Sequence, residues 1–473
     1  MTRPMSRALR RKECLEVTGK MIDDLENWYD AHLNATFDEI EQKARQLRRT
    51  CMGHVLAVLV NGRDTGLQSE RPRCTKCGAE MEFVAYRDWT VHGLEGDTTV
   101  ERAYYVCPPC AGQTFFPLDH KLGLRHDHWS EGAARVATRQ GLQAPSFAAA
   151  AQSYTEAVGA QISESSVRRV TEEMGRGVHE LNTAAAEKAA APPQKGETPR
   201  TRRLEEHKPV QGPGNLSSDG AKILIRGEGW KEIKLAALSQ VQVLPPAPRR
   251  KGESHRRDDE PRVKLSQHSY VAGLWEADEF GKFQYAEGLR RGLENVAKLS
   301  SVNDGALWIE RITATNFPHA VQIVDWSHTE ERIGTVAQAV FGAGSSQATA
   351  WTEQQLDQLW QGQVASVVQA LQALDLDQPQ LPEIVHQSPG YFQANVERMR
   401  YDRFRAENLP IGSGTVENAA KDVVHRRMRR PGPGWKRENT DPMLAALCEL
   451  RSDRFEYAWQ RVRHLATKSH QHF

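Results

Sequence analysis

The chain has 473 residues, 39% hydrophobic and 26% charged, and 62 Lys and Arg stand against 61 Asp and Glu for a formal net charge of +1. That length is more than one hydrophobic core ordinarily serves, and no run approaches the ~18 consecutive apolar residues of a membrane-spanning helix, so a membrane partner is excluded. The neutral balance gives no support to nucleic-acid binding, which has to be argued from local patches.

The opening run, MTRPMSRALRRKECLEV, is basic but lacks the apolar core and small-residue cleavage site of a secretory signal, and a cytoplasmic protein is expected. From about Glu13 to Val60 the chain is rich in Leu, Glu, Lys, Arg and Ala and free of Pro, which predicts an N-terminal helical segment over 1–66. Four of the seven cysteines then fall in two C-x-x-C knuckles, Cys74/Cys77 and Cys107/Cys110. Between them, 82–86 and 98–106 alternate as strands do, with Gly93 and Gly96 to turn the chain. Two knuckles on a hairpin bring four thiolates to one tetrahedral ion, so a structural Zn²⁺ in a zinc ribbon over 67–120 is expected; buried, unligated thiols and a redox C-x-x-C are the alternatives.

Residues 121–190 read as helical. The start at Ile162–Val170, preceded by a short helix and turn, is like a helix-turn-helix, although a plain helical bundle has the same spacing. A linker at 191–215, rich in Pro, Gly and charge, marks a domain boundary, and a second such run at 245–262 predicts a loop between strands.

Strands are predicted at 216–225, 230–244 and 268–275, a helix at 282–296, a strand at 298–303, a helix from Leu307 and a strand at 320–324. Three strands, a helix, a strand, a helix and a strand follow the order of an RNase H-like fold. In that topology Asp219, on the first strand, and Asp304, at the end of the fourth, lie on neighbouring strands. Two facing carboxylates repel unless a divalent cation neutralises them, and Mg²⁺ or Mn²⁺ suits carboxylates combined with phosphate oxygens.

A third acid is expected on a late helix starting near Gly412, with Thr415 as its N-cap and Val416, Ala419, Ala420, Val423 and Val424 as its apolar stripe. Glu417 lies at the edge of that stripe, and Lys421 and His425 follow at four-residue steps on the same face. The run 421–437 continues with Arg426, Arg427, Arg429, Arg430, Trp435, Lys436 and Arg437. A solvated helix end accounts for part of this charge; the crowding points to DNA phosphates, with Trp435 placed to stack on a base. Arg200, Arg202 and Arg203 in the linker are further candidates for a DNA backbone.

The runs Ser218-Asp219-Gly220, Asn303–Ile309, Asp325-Trp326-Ser327-His328 and Leu409–Asn418 resemble bacterial insertion-sequence DDE transposases of the ISKra type, in the Mutator-like group; so do the zinc knuckles with Tyr104-Tyr105 before and Phe116–Asp119 after the second pair. The resemblance spans roughly residues 70 to 460. It implies that Asp219, Asp304 and Glu417 are the catalytic acids and hold two Mg²⁺ or Mn²⁺ ions. It also implies that 333–408 is a helical insertion dividing an RNase H-like domain into 216–332 and 409–473. Leu356, Leu359, Trp360, Val364, Val367, Val368 and Leu371 recur at helical spacing there, as in a bundle core. Asp325 and His328 form the D-x-x-H pair that lies near the active site in that group; a strand-end Asp capping the next helix is the alternative.

The expectation is thus a multidomain α+β protein that cuts and joins DNA by two-metal phosphoryl transfer. Its partners are the element's terminal inverted repeats and target DNA, bound by a homodimer or larger assembly. A nuclease or resolvase without strand transfer, and an inactive zinc-ribbon DNA-binding protein, are the rivals.

Overall fold

The computed structural model describes residues 4–110, 112–193, 195–198, 204, 207–248, 257–374, 380–430, 432 and 434–471, with side chains through 465. The chain is mixed α+β and divides into two compact units, 1–174 with 459–473, and 175–458. The division falls inside the helix Glu164–Ala190, and not at the Pro- and Gly-rich stretch 191–215. Arg200, Arg202 and Arg203, and residues 249–256 of the charged loop at 245–262, lie outside the described residues.

In the first unit, helices Arg7–Ala31 and Phe37–Asn61 form a hairpin, the second opened by a capping box of Thr36 and Glu39. Strands β1 (Glu82–His92) and β2 (Asp97–Val106) pair antiparallel, and the short β3 (Thr114–Phe115) adds to β2. The strands predicted at 82–86 and 98–106 are present and longer. Helix Phe37–Asn61 presses on the hairpin turn: a Cβ on Gly53 would meet the Asp97 carbonyl oxygen at 2.2 Å, and one on Gly96 the Arg49 carbonyl oxygen at 2.0 Å. Gly96, at φ +143°, is therefore required by both space and backbone. Helices Glu131–Gln143, Phe147–Val158 and Glu164–Ala190 follow, and Ser163 caps the last through Ser166 N–H at 3.1 Å.

The second unit is built on a five-stranded sheet of β4 (Gly214–Ile225), β5 (Gly229–Leu244), β6 (Arg262–Gly273), β7 (Leu299–Asn303) and β8 (Val321–Val324), in the order β6-β5-β4-β7-β8. β4, β5 and β6 pair antiparallel, whereas β4 with β7 and β7 with β8 pair parallel. All five residues of β7 and the central part of β5 read as buried runs, as expected for strands covered on both faces.

Three boundaries differ from the sequence reading. β6 begins at Arg262, ahead of the predicted His268, because a bulge between Leu238 and Gln240, with Gln267 at φ +51°, breaks the alternation that marks a strand. The helix predicted at 282–296 runs over Ala277–Arg290 and is stopped by left-handed Gly292. The late helix is capped at Ser413, not Thr415, and runs Gly414–Ala419 before widening into a π-helical turn at Ala420–His425.

One face of the sheet packs on helix Ala277–Arg290 through Leu216, Ala236, Leu238, Phe280, Leu293 and Phe317. Toward β7 and β8, Val302, Ile323 and Val324 join one cluster with Leu356, Leu359, Val367, Leu371, Phe392 and Tyr401. The helices Ser346–Trp360, Val364–Gln372, Glu383–Ala394 and Tyr401–Ala406 thus share their core with the sheet, where the sequence suggested a bundle core of their own.

Candidate functional site

Two clusters of ligand-type side chains arise from these elements, one in each unit. In the first, the chain before β1 turns at Cys74–Gly78, where Gly78 N–H bonds the Cys74 carbonyl at 2.8 Å with φ +75°. The second knuckle is the β2–β3 turn, closed by Cys107 N–H on the Gln113 carbonyl and Gln113 N–H on the Cys110 carbonyl, both 2.9 Å. The sulfurs of Cys74, Cys77, Cys107 and Cys110 lie within 4.8 Å of one another, with Cys77 and Cys107 3.5 Å apart. Among the described residues this is the only His, Cys, Asp or Glu group so tightly drawn together.

The backbone N–H of Cys77 points at the Cys74 sulfur and holds that thiol down at about 7 against the opposing effect of burial. The Cys110 thiol is pushed up to about 12, first by Cys77, then by burial and the remaining sulfurs. Burial raises Cys107 as well. Four thiolates cannot ionise together in this space without a cation among them. The four cysteines can hold a metal ion such as zinc, whose tetrahedral geometry accepts sulfur at about 2.3 Å.

The second cluster gathers at one end of the five-stranded sheet. The β4–β7 ladder runs from Gly214/Leu299 to Leu216/Ser301; beyond it the Asn303 side chain takes over and accepts the Ser218 N–H at 2.6 Å. The next residue along β4 is Asp219, and the next after β7 is Asp304. Gln284 from the covering helix donates to the Ser218 hydroxyl at 3.0 Å and steadies the strand from the other side. Asp219 accepts its neighbour's Gly220 N–H at 2.7 Å, and Asp304 accepts the Ala306 N–H at 2.9 Å, which folds the turn into the helix Leu307–Asn316. Gly305 adopts φ +89° in that turn, and the Tyr391 hydroxyl donates to the Asp304 carbonyl at 2.9 Å.

Glu417 arrives by way of Asp325. This fully buried carboxylate ends β8 and accepts His328 N–H at 3.1 Å, capping helix Trp326–Phe341. Its other oxygen accepts the Ser413 N–H. The Trp326 N–H also bonds the Ile411 carbonyl at 2.9 Å, so residues 411–413 are strapped to the end of β8 before the late helix begins. The tie at Ser413 is why the helix starts there. The His328 ring then stands 4.0 Å from a Glu417 carboxylate oxygen.

Burial pushes the Asp219 carboxyl above its usual range; the Gly220 N–H opposes this, the charges of Asp304 and Glu417 raise it further, and His328 lowers it. The three acids therefore face one another electrically.

The stripe Val416, Ala419, Ala420, Val423 and Val424 is buried as predicted. The four-residue steps that would align Glu417, Lys421 and His425 are interrupted by the π turn, whose i→i+5 pairing shifts everything after it. Lys421 is exposed, whereas the His425 ring has a buried Nε2 and is held below its usual pKa by burial, Arg429 and Lys421.

The basic run is not uniformly exposed. Arg427 is buried, with its guanidinium 5.1 Å from the centre of the Trp435 ring, which corrects its assignment as a DNA contact. Trp435 itself is built into the fold: its indole N–H donates to the Met428 carbonyl at 3.0 Å, and its backbone pairs with Leu224 and Arg226 at the end of β4. Arg437 is held by Glu228 at 2.6 Å and Arg426 by Asp422 at 3.1 Å, while Arg429 lies over Trp230. Arg430 and Lys436 are exposed.

Asn303, Gln284 and Tyr391 are residues of this site to which sequence reasoning assigned no role. Asn303 sits inside a quoted motif, but Tyr391 lies among helices with no local mark of its contact. Set against known proteins, the chain matches no family model and no curated sequence.

Proposed function

We propose that the chain is a DDE-type DNA transposase of the ISKra, Mutator-like kind, with an RNase H-like catalytic domain. The observation that carries this reading is the electrostatic influence on Asp219, on the central strand, of Asp304 at the end of its parallel neighbour and Glu417 on the late helix. Each of the two distant acids raises the Asp219 carboxyl. The strand order, with three antiparallel strands followed by two parallel ones, agrees with that fold class.

The acids fit divalent ions because they are hard oxygen donors with uncompensated negative charge. Asp219, Asp304 and Glu417 would hold two Mg²⁺ or Mn²⁺ ions, which when bound supply Lewis-acid activation of the attacking oxygen and stabilisation of the leaving one. The chain's own residues do the positioning. Asn303 and Gln284 set Asp219 on its strand, Tyr391 and the Asx turn at Ala306 set Asp304, and Asp325 sets the helix that presents Glu417. His328 places an imidazole beside Glu417. Exposed Arg429, Arg430 and Lys436, with Arg426 and Arg437 once released from Asp422 and Glu228, supply phosphate contacts.

In this reading the four cysteines hold a structural Zn²⁺, and the ribbon at 67–120 with the helices at 121–190 recognises the terminal inverted repeats. The residues 333–408 are an insertion in the catalytic domain, and the active species is a homodimer or larger assembly on DNA in the bacterial cytoplasm.

The test is incubation with the flanking element ends, a target plasmid and Mg²⁺ or Mn²⁺. Wild-type protein is expected to cut the ends and join them to target, with Asp219→Asn losing at least about a thousandfold of both. Cut ends that are never joined would identify a nuclease. Equal joining by Asp219→Asn would refute the assignment of the acids.

A further inference from the structure

The helix Arg7–Ala31 is 25 residues long and buries none of them fully. Cys14, Val17, Met21, Leu25 and Trp28 are half-buried on the side that packs on helix Phe37–Asn61. Beside that seam runs a second, exposed apolar line: Leu15, Ile22 and Tyr29, 61%, 49% and 56% exposed and seven residues apart. Seven-residue spacing keeps side chains on one stripe of a helix, which is the pattern of a helix that pairs with another along its length. Gly19 borders the stripe, and a Cβ there would meet nothing within 4 Å, so a second helix has room to approach closely.

Charge selects the occupant. The stripe is flanked by Arg11 and Lys12 toward the N-terminus, Lys12 standing 3.8 Å from Glu16, and by Asp23, Glu26 and Asp30 toward the C-terminus. An identical helix running antiparallel brings the basic end of each copy against the acidic end of the other, whereas a parallel copy sets like against like. Pairing about a twofold axis at Ile22 places Leu15 opposite Tyr29 and Lys12 within reach of Asp30. We infer that this face is the dimer interface of the protein, formed by antiparallel pairing of helix 7–31 with the same helix of a second copy. The pairing is isologous, so it closes at two chains, and the two hairpins together make a four-helix layer that covers the exposed stripe. It exists without DNA and does not depend on the catalytic reading.

Sedimentation equilibrium of the full, zinc-loaded chain without DNA tests it. Wild type is expected at twice the 53.2 kDa of one chain at micromolar concentration, and Ile22→Lys at the single-chain mass with unchanged helicity by circular dichroism. Lys12→Glu and Asp30→Lys are each expected to weaken association about tenfold, and the two together to restore it to within about threefold, because the swapped charges again face one another. A wild-type chain that stays single, or gains mass only with DNA or another protein, overturns the inference. So does an Ile22→Lys dimer of undiminished strength, or a double reversal as weak as the single ones.

Discussion

The carboxylate of Asp304 is not held by its own strand alone, since its backbone carbonyl is bonded by Tyr391, 87 positions along the chain. The Tyr391 ring lies under the Arg332 guanidinium at 4.0 Å, and burial pushes its phenol up to about 12, so it remains a donor across the physiological range. A Cβ on Gly305 would sit 3.0 Å from the Tyr391 hydroxyl, so turn and tyrosine fit one another closely. Tyr391→Phe keeps the ring and removes only the donor. We expect about 1 kcal/mol less stability in urea and about tenfold weaker Mn²⁺ binding by calorimetry. Unchanged Mn²⁺ binding alongside the stability loss would make the bond purely structural. Asp325 acts similarly at a second point, satisfying two backbone donors that would otherwise be buried at the junction of β8 and the late helix.

Among elements, the cysteine knuckles have a small core of their own: Cys74, Met81, Ala103, Tyr105 and Cys107, with Leu67, Tyr86 and Phe115 at its margin. So few apolar groups cannot hold two knuckles shut, and a tetrahedral ion would supply the missing stabilisation. Purified protein is expected to contain one zinc per chain by atomic emission. Cys107→Ser, or exhaustive chelation, should empty the site and lower the melting temperature of the first unit. Full zinc content in Cys107→Ser would rule out this ligand set. The late helix makes a different point. Its π turn at Ala420–His425 keeps Val423 and Val424 buried while changing which residues share a face with Glu417.

On the scale of the whole second unit, a buried ion cluster joins helix Ala277–Arg290 to helix Arg437–Arg451 and the turn after it. Arg454 contacts Glu287 at 2.7 Å and Glu449 at 2.9 Å, and Arg290 contacts Glu287 at 3.1 Å. Burial alone would raise Glu287, but the charges of Arg454 and Arg290 overcome it and bring the carboxyl from its ordinary 4.5 down to about 2. A carboxyl depressed in the folded state stabilises above its unfolded value and loses that contribution as pH falls through the folded one. Unfolding free energy should therefore decline by about 3 kcal/mol between about pH 4.5 and pH 2 on account of this group. Glu287→Gln should lack that part of the slope and be several kcal/mol less stable at neutral pH, because Arg454 and Arg290 are left buried without their shared anion. An identical slope in wild type and Glu287→Gln in urea titrations would exclude the cluster as its source.

What the sequence determined by itself is whatever is written in short-range pattern. Two C-x-x-C pairs flanking alternating residues marked the hairpin. Three strands, a helix, a strand, a helix and a strand were readable in order, because alternation, apolar runs and glycine turns are local consequences of backbone geometry. The buried stripe from Val416 to Val424 was legible for the same reason. Tertiary structure alone decided that Ser413 rather than Thr415 opens the late helix, since the deciding bond comes from Asp325. It also placed Tyr391 on the Asp304 turn, turned Arg427 inward against Trp435, and merged the helices after β8 with the core of the sheet. Each of these depends on segments far apart in the chain competing for one buried space or one unpaired donor, and such a competition is settled only when the whole unit packs.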